Sequence, residues 1–233
     1  MRIVETPSPN HDARLAGTPV DMLVLHYTGM KTAEEALARL CDPAANVSAH
    51  YTIGRDGSVH AHVPEAHRAW HAGVSYWAGE RNVNARSVGI ELVNPGHEFG
   101  YEPFPELQIE ALIDLATAIM KRHPIPAARV VGHSDVAPAR KTDPGELFPW
   151  AQLADYGIGV WPEFSTRMLR LPVETALSEI GYGVMPHVDV PLETVVGAFQ
   201  RHFTPKAITG TADPQTARRI AAVHAAVCAP AIS

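Results

Sequence analysis

His133 and Asp143 stand ten positions apart in the run Gly132-His133-Ser134-Asp135-Val136-Ala137-Pro138-Ala139-Arg140-Lys141-Thr142-Asp143-Pro144-Gly145, and Lys141 lies two residues before the carboxylate. An imidazole and a carboxylate held in one loop suit two ligands of a metal site, and a metal ion can activate water for hydrolysis. One imidazole and one carboxylate do not close a catalytic zinc site, which usually takes three protein ligands and keeps a fourth position open. The chain offers a third at the end of another apolar run, where His26 follows Met22-Leu23-Val24-Leu25. Asp135 stays outside this set; it is expected to hydrogen-bond the loop or to orient a neighbouring imidazole. Glu91 also ends an apolar run, where a carboxylate is costly unless it has a partner or a task.

Such residues need elements that hold them still. Arg129-Val130-Val131 reads as the end of a buried strand, and the run after it as a turn-rich loop braced by Pro138 and Pro144. Residues 22–27 read as a strand, then Thr32 to Leu40 as a short helix with Thr32 as N-cap and Glu35 three residues on. Residues 49–54 and 58–63 form a hairpin around Arg55-Asp56-Gly57. Pro64 to Arg86 reads as a polar, aromatic loop, and Ser87 to Val93 as a strand. Pro105 to His123 has the helical period, with Leu107, Ala111, Leu112, Leu115, Ala118 and Ile119 on one side. Strands alternating with helices predict an α/β fold, a mixed central β-sheet flanked by helices. After Trp161-Pro162-Glu163-Phe164 the pattern changes to short helices over 175–182, 192–203 and 213–220. The expected division is therefore 1–164 and a small helical domain, 165–233.

With 233 residues, 46% hydrophobic and 19% charged, the chain has the composition of a soluble globular protein. Its formal net charge of -6 argues against nucleic acid as a partner, since neutralising phosphates needs clustered Lys and Arg. Cys41 and Cys228 are far apart and in no metal-ligand spacing, so no disulfide framework is expected. The N-terminal residues carry no apolar leader core and no lipidation cysteine, and no run is long enough to span a membrane. The expectation is a cytoplasmic monomer without a membrane span, or a periplasmic one if a leader has been removed.

Five blocks occur in one order: Val24-Leu25-His26-Tyr27-Thr28, Val47-Ser48-Ala49-His50-Tyr51, Ala69-Trp70-His71-Ala72-Gly73-Val74-Ser75, Ser87-Val88-Gly89-Ile90-Glu91-Leu92, and the His133–Asp143 run with Leu147-Phe148-Pro149-Trp150 after it. Together they resemble the zinc-dependent N-acetylmuramoyl-L-alanine amidases of the amidase-2 family. The likeness extends to members with a C-terminal peptidoglycan-binding domain, through Ile180-Gly181-Tyr182, Ala198-Phe199-Gln200 and a last, Thr-bearing helix. The resemblance implies one zinc ion on His26, His133 and Asp143, with Glu91 serving the attacking water and Lys141 stabilising the oxyanion. It places Asn46, His50 and Asn84 by the substrate groove, and the loop with Arg68, Trp70 and His71 suits a sugar–peptide ligand through its aromatic faces and guanidinium. The implied reaction is hydrolysis of the amide between N-acetylmuramic acid, or its 1,6-anhydro form, and L-alanine of the stem peptide. Peptidoglycan or an anhydro-muropeptide is then the partner. Ala49 departs from some bacteriophage zinc amidases, which have a catalytic tyrosine there, so no tyrosine role carries over. A non-catalytic peptidoglycan receptor on the same fold typically lacks a zinc ligand, whereas all three positions are filled here. A zinc peptidase cutting within the stem peptide shares the ligands, and only its products separate it.

Overall fold

A computed structural model describes residues 3–164 and 169–228. Its main sheet contains β1 (Ile3–Glu5), β3 (Met22–Tyr27), β4 (Tyr51–Ile53), β5 (Val59–Ala61), β7 (Ser87–Leu92) and β8 (Val130–Gly132), while β2 (His11–Ala13) pairs with β6 (His67–Ala69) in a small second sheet. The order is β1-β5-β4-β7-β3-β8, and only the β4–β5 pair is antiparallel. Helices α1 (Ala33–Cys41), α2 (Val83–Arg86), α3 (Gly96–Phe99), α4 (Glu106–Arg122), α5 (His133–Val136) and α6 (Trp150–Ala154) accompany these strands, and α7 (Val173–Ile180), α8 (Leu192–Phe203) and α9 (Pro214–Cys228) follow. The fold is thus mixed α/β with a largely parallel central sheet. Among the described residues, no helix is long and apolar enough to cross a membrane.

Local chemistry accounts for several elements. Thr32 Oγ1 accepts the Glu35 N–H at 3.1 Å, which caps α1 as the spacing predicts. The β4–β5 turn closes through Gly54 N–H to Ser58 C=O at 2.8 Å, with Gly57 at φ +81°. On α4 the buried stripe is Gln108, Ile109, Leu112, Leu115, Ala116 and Ile119, whereas Leu107 is 59% exposed. The apolar face expected from sequence is therefore rotated, because Gln108 turns inward to donate to the Ile53 and Val93 carbonyls.

One strand was not anticipated, and two expectations need correction. The first strand, β1, lies in the N-terminal segment and pairs with β5; nothing in its short, exposed sequence announced it. The Pro64–Arg86 loop contains β6 and α2, because β6 finds a partner in β2, far away in sequence. The run starting at His133 opens as one helical turn, α5.

Strand alternation divides the core. Leu23, Leu25, Val88, Ile90 and Leu92 face α4, together with Ile53 and Val59. Met22, Val24 and Val131 face the other way and join one cluster with Ala176, Leu177, Tyr182, Val195, Phe199 and Ile220. The C-terminal helices thus cover the sheet face opposite α4. The expected division at 164/165 adjoins residues 165–168, which lie outside the described residues.

Candidate metal centre and active site

The same alternation aims the chemistry. His26, next to last in β3, lies on the face of Met22 and Val24, and it is the register partner of Glu91 on β7. His133 follows directly on β8, beside β3 on the other edge. Parallel neighbours end together, so three strand ends deliver their side chains to one place. Asp143 returns from the same run, where its C=O accepts the Ser134 N–H at 2.8 Å.

The hydrogen bonds around these ligands fix their tautomers. Ser87 Oγ donates to the Val83 carbonyl at 2.7 Å, so it accepts from His71 Nε2–H at 3.1 Å. His71 Nδ1 then accepts from His26 Nε2–H at 3.1 Å, which leaves the lone pair of His26 on Nδ1. His133 Nε2–H donates to the Ala72 carbonyl at 3.1 Å and likewise leaves Nδ1 bare. The two Nδ1 atoms are 2.9 Å apart, and each lies 3.0 Å from Asp143 Oδ2. Two lone pairs and a carboxylate oxygen at this distance repel unless a cation lies among them. A tetrahedral ion about 2.0–2.1 Å from its ligands separates them by roughly 3.3 Å, close to the triangle observed. His26, His133 and Asp143 are 1%, 3% and 5% exposed, and they form a group able to hold a metal ion.

Electrostatics agree. Burial, helped by the neighbouring His133, lowers the His26 pKa to about 4, which keeps the ring neutral for ligation. Glu91 behaves oppositely: burial and then the Asp143 charge push it well above the ordinary value, against the pull of Lys141. Its Oε2 is buried with no hydrogen-bond partner.

A cavity of about 730 Å³ opens over His133 and Asp143. Asn46, Trp70, His71, Glu91 and Lys141 line it, together with His133 and Asp143 of the candidate metal group; His26 lies beneath and is not part of the lining. His50, Arg68 and Asn84 do not. His50 is fully buried, accepting the Gly89 N–H at 2.9 Å and donating to the His67 carbonyl at 3.1 Å. Arg68 forms a bidentate pair with Asp12 across the β2–β6 sheet. Asn84 Oδ1 accepts the His71 and Ala72 N–H groups at 3.2 and 2.8 Å and so holds the Trp70–Gly73 wall. His71 lines the cavity but its ring nitrogens are spent on His26 and Ser87. Sequence reasoning missed Arg39, Phe99, Arg140 and Thr142, which also line the cavity. Arg140 was findable from its place in the His133–Asp143 run; it donates to the Ala72 and Val74 carbonyls and ties that run to the same wall. Arg39 gave no signal beyond being an exposed helix cation.

Known proteins resemble this chain in sequence and fold. The profile of Amidase_2, N-acetylmuramoyl-L-alanine amidase, matches residues 16–146. N-acetylmuramoyl-L-alanine amidase AmiD of Escherichia coli (strain K12) is 40% identical, over 88% of this chain and 82% of that protein. The 1,6-anhydro-N-acetylmuramyl-L-alanine amidase AmpD of Enterobacter cloacae is 37% identical over 63% of this chain and 85% of its own length. Among solved structures, E. coli AmiD in complex with the substrate anhydro-N-acetylmuramic acid-L-Ala-D-gamma-Glu-L-Lys superposes with a TM-score of 0.79 at 38% identity, covering 89% of this chain and 90% of that one. AmpDh3 of Pseudomonas aeruginosa in complex with anhydromuramic pentapeptide gives 0.78 at 33% identity, covering 89% and 93%. Ligand triad, cavity and sequence together lead to one conclusion: the chain belongs to the Amidase_2 family of N-acetylmuramoyl-L-alanine amidases.

Proposed function

We propose that the chain is a zinc-dependent hydrolase of the amide between N-acetylmuramic acid, or its 1,6-anhydro form, and L-alanine of peptidoglycan stem peptides. The observation that carries this is the triangle of two bare imidazole nitrogens and a carboxylate oxygen on the floor of a cavity, beside a buried, unpartnered Glu91 oxygen. His26 Nδ1, His133 Nδ1 and Asp143 Oδ2 would hold one zinc ion, and two neutral rings with one carboxylate leave it net positive. When bound, zinc supplies Lewis acidity, acidifying a water and polarising an amide carbonyl.

The chain's own groups do the rest. The Glu91 carboxylate takes the proton of the attacking water and passes it to the departing alanine nitrogen; its raised pKa lets it hold that proton between the two transfers. Lys141 sets a positive charge on the cavity wall, where the carbonyl oxygen becomes negative. Trp70 and Phe99 give the wall aromatic surface for sugar or apolar peptide, and Arg39 offers a cation to the peptide's carboxylates. Asn46 lies at the rim and suits a polar contact with the sugar.

The deciding experiment is mass spectrometry of the products from a soluble anhydro-muropeptide. Intact sugar and a peptide beginning with L-alanine are expected, with about one zinc per chain by metal analysis. Cleavage inside the peptide would overturn the reading in favour of a peptidase.

Residues 1–164 and 165–233 are proposed as the catalytic and the peptidoglycan-binding parts, on the strength of the Ile180-Gly181-Tyr182 and Ala198-Phe199-Gln200 patterns. Full-length protein should pellet with insoluble sacculi, and excess soluble anhydro-muropeptide should leave part of that binding in place. Complete displacement would assign all binding to the catalytic cavity.

A further inference from the structure

Asp135 belongs to the ligand run but takes no part in the chemistry above. Its carboxylate is 1% exposed and receives three hydrogen bonds. Gly132 N–H and His202 Nδ1 approach Oδ2 at 2.7 and 2.8 Å, and the Tyr182 hydroxyl donates to Oδ1 at 2.6 Å. Tyr182 and His202 are 0% and 4% exposed. Tyr182 follows α7 and His202 lies on α8, so two of the three donors come from the C-terminal helices. The His202 ring is itself clamped, stacking on Trp150 at 3.8 Å and on Phe203 at 3.9 Å.

We propose that Asp135, Tyr182 and His202 are positioning residues, through which the C-terminal helices hold His133 in its metal-binding orientation. The proposal rests on the zinc reading above. A single helical turn such as α5 does not hold itself together, because helix nucleation is unfavourable. The Asp135–Gly132 bond spans the turn and encloses His133, while Ser134 N–H on the Asp143 carbonyl links the turn to the second ligand. A buried carboxylate with three donors resists displacement, since any shift leaves it or a donor unpaired in a low-dielectric interior. Apolar contacts such as Leu177, Val195 and Phe199 already cover this sheet face. They have no directionality; the hydrogen bonds onto Asp135 do.

The test uses full-length protein with Tyr182→Phe, which keeps the ring and removes the hydroxyl, with Asp135→Asn, and with Phe199→Leu as a packing control. Zinc affinity by chelator competition, the visible bands of the cobalt-substituted protein, melting temperature, kcat and KM are measured for each. Tyr182→Phe and Asp135→Asn should weaken zinc binding about tenfold, shift the cobalt bands, and lower kcat more than they raise KM. Phe199→Leu should lower the melting temperature and leave zinc affinity and cobalt bands as in the parent. Parental zinc affinity and cobalt bands in Tyr182→Phe would overturn the coupling, whatever its melting temperature, and that variant decides if Asp135→Asn does not fold. A parent that takes up no zinc overturns both readings; a zinc-loaded parent with unaffected variants overturns only this one.

Discussion

Gly89 is bare because His71 occupies the space beside it: a Cβ there would lie 2.4 Å from the His71 Cγ. That ring is the link by which Ser87 and the Val83 carbonyl dictate which nitrogen His26 presents. Gly89→Ala should therefore do two things at once, destabilising the protein by about 1–3 kcal/mol through overpacking and weakening zinc binding as His71 is displaced. Denaturant melts and chelator competition read the two effects separately. Glu91 is the other side chain whose replacement is informative. Glu91→Gln keeps its size and its place on β7 but cannot take a proton, so kcat should fall on the order of a hundredfold with zinc content unchanged. Near-parental turnover would reassign Glu91 to a structural role.

Buried and half-buried polar groups also staple elements to one another. Glu65, between β5 and β6, accepts from the Tyr51 hydroxyl at 2.7 Å, from Arg122 at 2.6 Å and from His123 at 2.6 Å, so it ties β4 to the end of α4. Burial alone would raise its pKa; these bonds outweigh it and bring the group from an ordinary 4.5 down to about 2. A depressed folded-state pKa gives stability that is present above the unfolded value and lost as pH falls through the folded one. The melting-temperature gap between the parent and Glu65→Gln should accordingly be constant near neutrality and close between about pH 4.5 and 2. A gap that persists at pH 2 would show that the charge contributes nothing. The staple was not legible in the sequence, because Glu65 and Arg122 meet only after α4 has packed on the sheet.

At the scale of the whole molecule, the C-terminal helices and the sheet share one hydrophobic cluster. Met22, Val24, Val131 and Val136 are almost fully buried with Leu177, Tyr182, Val196 and Phe199. The Amidase_2 match covers residues 16–146 and ends before these helices begin. This chain nevertheless has apolar side chains on the face they cover. A chain cut after Phe164 should thus expose a contiguous apolar surface and aggregate, or melt well below the full-length protein, as light scattering and calorimetry would record. A soluble fragment with the parental melting temperature would show that the shared cluster adds little.

The sequence by itself determined the elements that rely on local patterns: the Met22–Tyr27 strand with His26 near its end, the capped helix from Thr32, the Asp56-Gly57 hairpin, and the ordered blocks carrying His26, Glu91, His133 and Asp143. Period, caps and turn residues act over a few positions, so they can be read without a fold. Tertiary structure alone decided the rest. It gave β1 and β6 their partners, turned Gln108 rather than Leu107 inward, and withdrew His50, Arg68 and Asn84 from the cavity into supporting contacts. It also joined Asp135 to Tyr182 and His202. Each of these depends on which distant group supplies a hydrogen bond or fills a space, and residue type and local spacing carry no record of that.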